Sequence, residues 1–447
     1  MSERIVAKFG GSSVADARQI RKVGEIMNSD PRRRIVVVSA PGKRQPEESK
    51  LTDLLYLCQE MASLGMGIDE PFGLIRARYA EIASDLQLDS SILAAVDGFK
   101  AELLTGCSAD YSASRGEYFC ARLIAEYLGA ECVDPADCIV LRADGTIAPE
   151  SYALLGTRLA DHYKRYVIAG FYGRDADGEI KTFSRGGSDI SGAIAARAAG
   201  ALCYENWTDT SGILMADPRI VANPRPITEI SFREIREMAY MGASVFHGEA
   251  ILPVSEVCIP INIRNTNSPD DPGTLIVPEL SAASLAQTEI AGIAGKKGFT
   301  IISLEKSLMN REVGFVYRLM GILHQQGIHV EHCPSSIDSV SIIVEDQQLA
   351  GLEEVLLDQF DRQLQPDHIA VERDLALVAV VGEGMVRTAG IAGKIFSALG
   401  RAGINVRVIN QGASEINILI AVSAEEYAPC VRVIYQAFTG VGGDLGE

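Results

Sequence analysis

Two short stretches set a cation beside paired glycines. In VAKFGGSSVAD, Lys8 precedes Gly10 and Gly11, and Ser12 follows; in KTFSRGGSDISGAIAARAAG, Arg185 precedes Gly186 and Gly187, and Ser188 and Asp189 follow. Each stretch runs from a strand-like segment into an amphipathic one. A helix beginning at about Val14 gathers the amides of Gly10, Gly11 and Ser12 at its amino end, which favours negative charge. Lys8, closing a strand over 4–9, points its ammonium into the same crevice. A Walker loop puts its lysine after the glycines, so this is a different loop. In the second stretch Ser188 is an expected N-cap and Asp189 enters the first helical turn. Each residue also has a plain reading: a serine-capped turn with Lys8 reaching solvent, a surface ion pair for Arg185, a dipole-favoured helix start for Asp189. Two such loops in one acidic chain make a phosphate cradle the better reading.

The elements that carry these loops follow from periodicity. RIVAKF, RIVVVSA, CIVL, YVIAGF and PINIRN read as buried strands. DARQIRKVGEIMNS, LTDLLYLCQEMASLG, GEYFCARLIAEYLGA and DISGAIAARAAGA repeat apolar residues at three- and four-residue spacing and read as helices. Strand–helix alternation implies a mostly parallel sheet covered on both faces. GRDADGEIKTF adds a hairpin with Asp177-Gly178 expected in a type I′ turn. NTNSPDDPGT is a loop by composition, and SAASLAQ a linker.

The bulk numbers bound the function. The 447 residues carry a formal charge of −18, which disfavours nucleic acid and anionic membranes as partners. Nine scattered cysteines, none spaced Cys-x-x-Cys, imply reduced thiols rather than disulfides or a zinc site. No signal peptide or membrane span is expected, so the reading is a soluble cytoplasmic protein.

The carboxyl-terminal part repeats itself. MNREVGFVYRLMGILHQQGIHVE (309–331) aligns with MVRTAGIAGKIFSALGRAGINVR (385–407), matching Gly314 to Gly390 and Gly327 to Gly403. The diagonal continues through 340/416, 342/418 and 344/420. Two copies of a small α/β module follow the large domain.

KFGGSSV with SRGGSD resembles the amino acid kinase family, and within it the aspartate kinases. GEYFCARLIA, GFYG, WTDTSGILMADPRIV and NTNSPDDPGT follow in family order. The tail modules resemble tandem ACT domains. The resemblance implies an α/β fold, an open and mostly parallel sheet sandwiched by helices, followed by two ferredoxin-like ACT modules. It implies a catalytic domain over 1–280, a first ACT domain over 281–370 completed by a final strand within 425–447, and a second over 371–424 inserted in the first. It implies a monofunctional enzyme that phosphorylates the β-carboxylate of L-aspartate with ATP and Mg²⁺, opening a route to lysine, threonine and methionine. The alternatives are an amino acid kinase with another carboxylate acceptor and an inactive ACT sensor.

Residue by residue, the resemblance makes Lys8, Arg185 and Asp189 catalytic. Lys8, Gly10, Gly11, Ser12, Thr208, Asp209 and Arg219 would face ATP, while Trp207 reads as core and Asp217-Pro218-Arg219 equally as a turn. Ser39, Thr52, Glu117, Arg185 and Ser188 would face aspartate, with Arg185 on the α-carboxylate and Glu117 on the α-ammonium. Without the resemblance, Ser39 is a turn hydroxyl, Thr52 an N-cap and Glu117 a solvated helix-start acid. Leu214, Ser211 and Ser244 depart from common tyrosine, aspartate and lysine positions. In the tail, helix starts after Asn310 and Arg387 suit an effector carboxylate, with Met309, Asn310, Gly314 and Asp338 as its contacts and Asp338 or Glu331 receiving an ε-ammonium. Lysine is the first choice of feedback amino acid and threonine the second, with homodimerisation through the ACT domains.

Overall fold

The computed structural model describes residues 3–88, 91–184, 186–243 and 248–440. Arg185 and Ser244 lie outside the described residues. The chain divides into two compact units, one holding residues 3–213, 226–236 and 248–280, the other 214–225, 237–243 and 281–440.

In the first unit the chain runs β1 (Ile5–Phe9), α1 (Ala17–Ser29), β2 (Arg33–Val38), α2 (Leu51–Ser63), α3 (Asp69–Asp85), α4 (Ile92–Thr105) and α5 (Ala109–Leu128). It continues through β3 (Glu131–Val133), α6 (Glu150–Arg158), β4 (Tyr166–Ala169), β5 (Tyr172–Arg174), β6 (Ile180–Thr182), α7 (Gly187–Ala199) and β7 (Cys203–Thr208). Three strands complete the main sheet: β8 (Glu229–Ser231), β9 (Ile261–Asn265) and β10 (Thr274–Val277). Its order is β8-β10-β9-β7-β1-β2-β4-β3, with β9–β10 antiparallel and the other pairings parallel. Alternation along β1 decides which side chain goes where. Ala7 and Phe9 join Val36, Val38 and Trp207 in a core built with α1 to α5. Lys8 therefore faces the other side of the sheet, where α7 packs. From β1 the chain order runs outward both to β2 and, later, to β7, and such a switch point opens a crevice at the carboxyl ends of the strands.

Local chemistry corrects two expectations here. Cys138, Ile139 and Leu141 are buried, but this stretch makes isolated bridges, Val140 to Arg174 and Leu141 to Ile147, rather than a strand. The β5–β6 hairpin has positive φ at Gly178 (+89°) but not at Asp177, so its turn is not type I′. Instead the Asp175 carboxylate accepts from the amides of Asp177 and Glu179 at 3.0 and 2.9 Å.

The second unit holds β11 (Gly292–Glu305), α8 (Phe315–Gln325), β12 (Ser339–Glu345), α9 (Glu353–Leu364), β13 (His368–Val381), α10 (Ile391–Arg401), β14 (Val408–Asn410), β15 (Asn417–Ser423) and α11 (Tyr427–Thr439). They form an antiparallel sheet ordered β12-β11-β13-β15-β14. The repeat is visible in the helix starts, where Gly314 (φ +81°) and Gly390 (φ +93°) cap α8 and α10 after short 3-10 turns. A residue with a Cβ would be strained at either position.

Two cores share the long strands β11 and β13. One joins Ile302, Leu319, Val340, Phe360 and Val371; the other joins Ile293, Val378, Ile395, Ile420 and Ile434. The stretch CVRVIYQAF is helix α11, not a returning strand, and it completes the second core. The insertion therefore runs opposite to expectation: the module around Ile302 and Phe360 sits between two parts of the module around Ile293 and Ile434. Residues 214–225 are built into that second core as well. Ala216 and Val221 lie within it, and the Arg225 amide donates to Tyr435 Oη at 2.9 Å.

Candidate active site

β1 ends at Phe9, and the chain turns through a 3-10 helix, Gly11–Val14, before Asp16 caps α1 by accepting from the Gln19 amide at 2.8 Å. The turn thus has its own amino end, separate from that of α1. The Gly10 amide is not part of a cradle, because it donates to Trp207 O at 3.1 Å. The role of Gly11 is steric. Its loop meets the loop after β2 backbone to backbone, and a Cβ on Gly42 would lie 2.6 Å from the Gly11 carbonyl carbon.

Lys8 is buried, and its Nζ lies 2.5 Å from Asp189 Oδ1. Asp189 occupies the first turn of α7, and the same oxygen accepts from Asn206 Nδ2 at 2.9 Å. The N-cap of α7 is Gly186, in the left-handed conformation (φ +58°), rather than Ser188. Ser188 Oγ is instead hydrogen-bonded to Ser39 Oγ at 2.7 Å. Lys8, Asp189, Ser188 and Ser39 are therefore one contiguous group.

Glu117 extends it. α5 begins at Ala109, capped by Ser108, so Glu117 lies in the third turn and is buried rather than solvated. Burial lifts its carboxyl to about 8, opposed by a hydrogen bond from the Ala40 amide, next to Ser39. Its Oε2 is buried without a hydrogen-bond partner among the described residues. Gly116 makes the approach feasible, because even a Cβ there would stand 3.0 Å from that of Ala40. Thr52 is the second residue of α2, whose N-cap position belongs to Lys50, so the capping role falls away.

On the far side of β1, Trp207 is core, stacked on Phe9 at 6.0 Å between the guanidiniums of Arg33 and Arg264. Thr208 closes β7, and its hydroxyl donates to exposed Asp209 at 3.1 Å. Ser211 donates to Asp271 at 2.5 Å and accepts from Asn265 at 3.0 Å, so the departure from aspartate closes this loop with a neutral group. Ser13 Oγ meets Thr266 Oγ1 at 2.7 Å, tying the first glycine loop to the same region. Arg219 belongs to the second unit, where Asp217 holds it two residues away, as in the turn reading.

The sequence reading missed Asn206, Ser13 and Thr266. Only for Asn206 was there a signal: a polar side chain in a strand, in register with Lys8.

The expected effector residues all lie in the second unit. Asp338 accepts from the Leu308 amide at 2.9 Å, and the Asn310 amide donates to Ile337 O at 3.2 Å, so the two loops are adjacent. The Met309 side chain is core rather than contact surface. Glu331 accepts from Tyr240 Oη at 2.5 Å.

Comparison with known proteins places this arrangement. Residues 3–265 match the amino acid kinase family, and residues 378–438 an ACT domain. The chain is 40% identical to aspartokinase 3 of Bacillus subtilis, over 97% of this chain and 98% of that one. The crystal structure of Clostridium acetobutylicum aspartate kinase, 46% identical, superposes with a TM-score of 0.92 over 97% of this chain and 100% of its own. E. coli aspartokinase III, solved with aspartate and ADP in an R-state and with lysine and aspartate in a T-state, is 27% and 26% identical. Its TM-scores are 0.75 and 0.74, covering 97% and 98% of this chain and 99% and 100% of those. The chain belongs to the amino acid kinase family, among the aspartokinases.

Proposed function

We propose that the chain transfers the γ-phosphoryl group of ATP to the β-carboxylate of L-aspartate, giving 4-phospho-L-aspartate and ADP. The observation that carries the site assignment is the buried Oε2 of Glu117, without a partner among the described residues and joined through Ala40, Ser39 and Ser188 to the Lys8–Asp189 pair. A buried acid that lacks a partner is suited to receive the substrate's α-ammonium. Arg185 would take the α-carboxylate, and Thr52 would contact the same substrate.

The nucleophile needs no base, since an aspartate side chain with a pKa of about 3.9 is already ionised. A carboxylate oxygen attacks the γ-phosphorus, and the bond to the β,γ-bridging oxygen breaks, leaving its electron pair on ADP. The barrier is repulsion between two anions, so alignment and charge compensation are what the protein must supply. Lys8 supplies the charge, and the amides of Gly11 and Ser12 assist at the turn's amino end. Thr208 and Asp209 lie at the end of β7 for the nucleotide's ribose or base. Mg²⁺ fits as a passenger on the phosphate oxygens, the habit of a hard octahedral ion, where it neutralises charge. Among the described residues no cluster of three or more His, Cys, Asp or Glu could hold a metal.

Lysine is the feedback amino acid favoured by the T-state complex of the E. coli relative, and a homodimer through the ACT modules would complete its pocket. The nine free thiols fit the reducing cytoplasm, and among the described residues no helix is long and apolar enough to cross a membrane.

A coupled assay with ATP, Mg²⁺ and a panel of carboxylate acceptors, with and without lysine and threonine, tests the proposal. ADP release with aspartate alone, suppressed by lysine, is the expected result. Turnover with another acceptor makes it a different amino acid kinase, and none with any acceptor makes it a sensor.

A further inference from the structure

Asp189 is held from β7 as well as by Lys8. Tyr204 and Asn206 point to one face of that strand, the face on which α7 packs, and Asn206 pairs with Lys8 in the parallel register. Gly192, one turn beyond Asp189 on α7, leaves room for the Tyr204 ring, because a Cβ there would lie 2.5 Å from Tyr204 Oη. The Tyr204 hydroxyl donates to the main-chain oxygen of Asp189 at 3.0 Å. Asn206 Nδ2 donates to Asp189 Oδ1 at 2.9 Å, the oxygen that Lys8 approaches at 2.5 Å. A carboxylate only accepts, so the amide must present its nitrogen here.

We infer that Asn206 is a positioning residue for phosphoryl transfer: it keeps the Asp189 carboxylate fixed and partnered while Lys8 turns its N–H groups toward the phosphoryl oxygens. The inference rests on the kinase reading above. The Lys8 ammonium is paired with Asp189. An arriving triphosphate draws that ammonium away, and a carboxylate in so dry a place then needs another donor. A leucine would offer none. A second cation would offer one, but it would also compete with Lys8 for the phosphate. A neutral amide gives Asp189 a bond that persists in both states without altering the charge Lys8 brings.

The test uses the full chain and steady-state kinetics, with Asn206→Leu, Asn206→Thr, Asp189→Asn and the Asp189→Asn/Asn206→Leu double variant, each checked by thermal melt. Asn206→Leu is expected to lower kcat by about ten- to a hundredfold, the scale of a misplaced catalytic group, while KM for aspartate stays within about threefold. Asn206→Thr, which retains a donor, recovers most of the loss. In the Asp189→Asn background, adding Asn206→Leu changes kcat by less than about twofold, since residues acting through one another are non-additive. A folded Asn206→Leu protein with parental kcat overturns the inference, and so does an equal fall in both backgrounds. If Asn206→Leu does not fold, Asn206→Ala takes its place with the same two outcomes. A parent chain that leaves aspartate unphosphorylated overturns the kinase reading, and this inference with it.

Discussion

The ammonium of Lys8 and the carboxylate of Asp189 approach to 2.5 Å across the crevice between β1 and α7, with 9% and 18% of their side chains exposed. One residue comes from the end of a strand and the other from the start of a helix some 180 positions later, so the pair exists only in the folded sheet. Replacing Lys8 with alanine is expected to lower kcat by at least about a thousandfold, the effect of losing a preorganised charge at the transferring group. It also leaves Asp189 short of a partner, so the melting free energy falls by about 1–3 kcal/mol. Rate assays and denaturant melts of the same preparation check both numbers.

Glu117 makes aspartate binding depend on pH. Its carboxyl is lifted from 4.5 to about 8 by burial, so at neutral pH it is mostly protonated. Only the ionised form pairs with an ammonium, so KM for aspartate should fall as pH rises toward 8, by about tenfold per unit well below that value. Glu117→Gln should flatten this profile and raise KM by about a hundredfold, the worth of a charged hydrogen bond.

The same shift acts on stability with a definite sign. A carboxyl whose folded pKa exceeds its unfolded one favours the folded state at low pH, and that contribution is lost as pH rises from 4.5 through about 8. Glu117→Gln should therefore melt above the parent at pH 8 and converge with it near pH 4. Calorimetry at the two pH values decides it.

Gly42 and Gly11 let the two loops touch. Gly42→Ala would place its Cβ 2.6 Å from a backbone carbon and 2.9 Å from the Ser12 amide nitrogen. The loops must part, and kcat should fall about a hundredfold with the melting temperature little changed. An Ala substitution at Gly98, which meets nothing within 4 Å, serves as the control.

In the second unit, Asp338 fixes the Leu308 amide beside the glycine-capped start of α8. Asp338→Ala should weaken inhibition by lysine at least about tenfold while leaving uninhibited kcat alone, since an effector acts only through its difference in affinity between states. Inhibition curves of the intact enzyme measure both quantities.

Much of this fold is legible in the sequence. Strands β1, β2, β4 and β9, the glycine turns and the tail repeat follow from periodicity and from glycine at fixed offsets. Glu117 was harder. The stretch SADYSASRGEYF looks polar, yet Ser112, Ser114 and Gly116 are small residues on a closely packed helix, and Ser112 donates to Leu55 O at 2.8 Å. Small size, not polarity, was the informative property. CVRVIYQAF misled for the opposite reason. Its β-branched and aromatic residues favour a strand, but Cys430, Val431, Ile434 and Tyr435 recur at helical spacing, and the core that they enter decides. The direction of insertion was illegible, because it depends on which halves of β11 and β13 share a core.

Residues 214–225 bear on how such enzymes can be rebuilt. Ala216, Val221 and Arg225 precede the tail by more than fifty positions, yet they are packed among its helices. A graft of another relative's sensor spliced at residue 281 would meet a foreign lining at those three side chains. Transplanting feedback specificity therefore calls for exchanging this short upstream strap together with the carboxyl-terminal part.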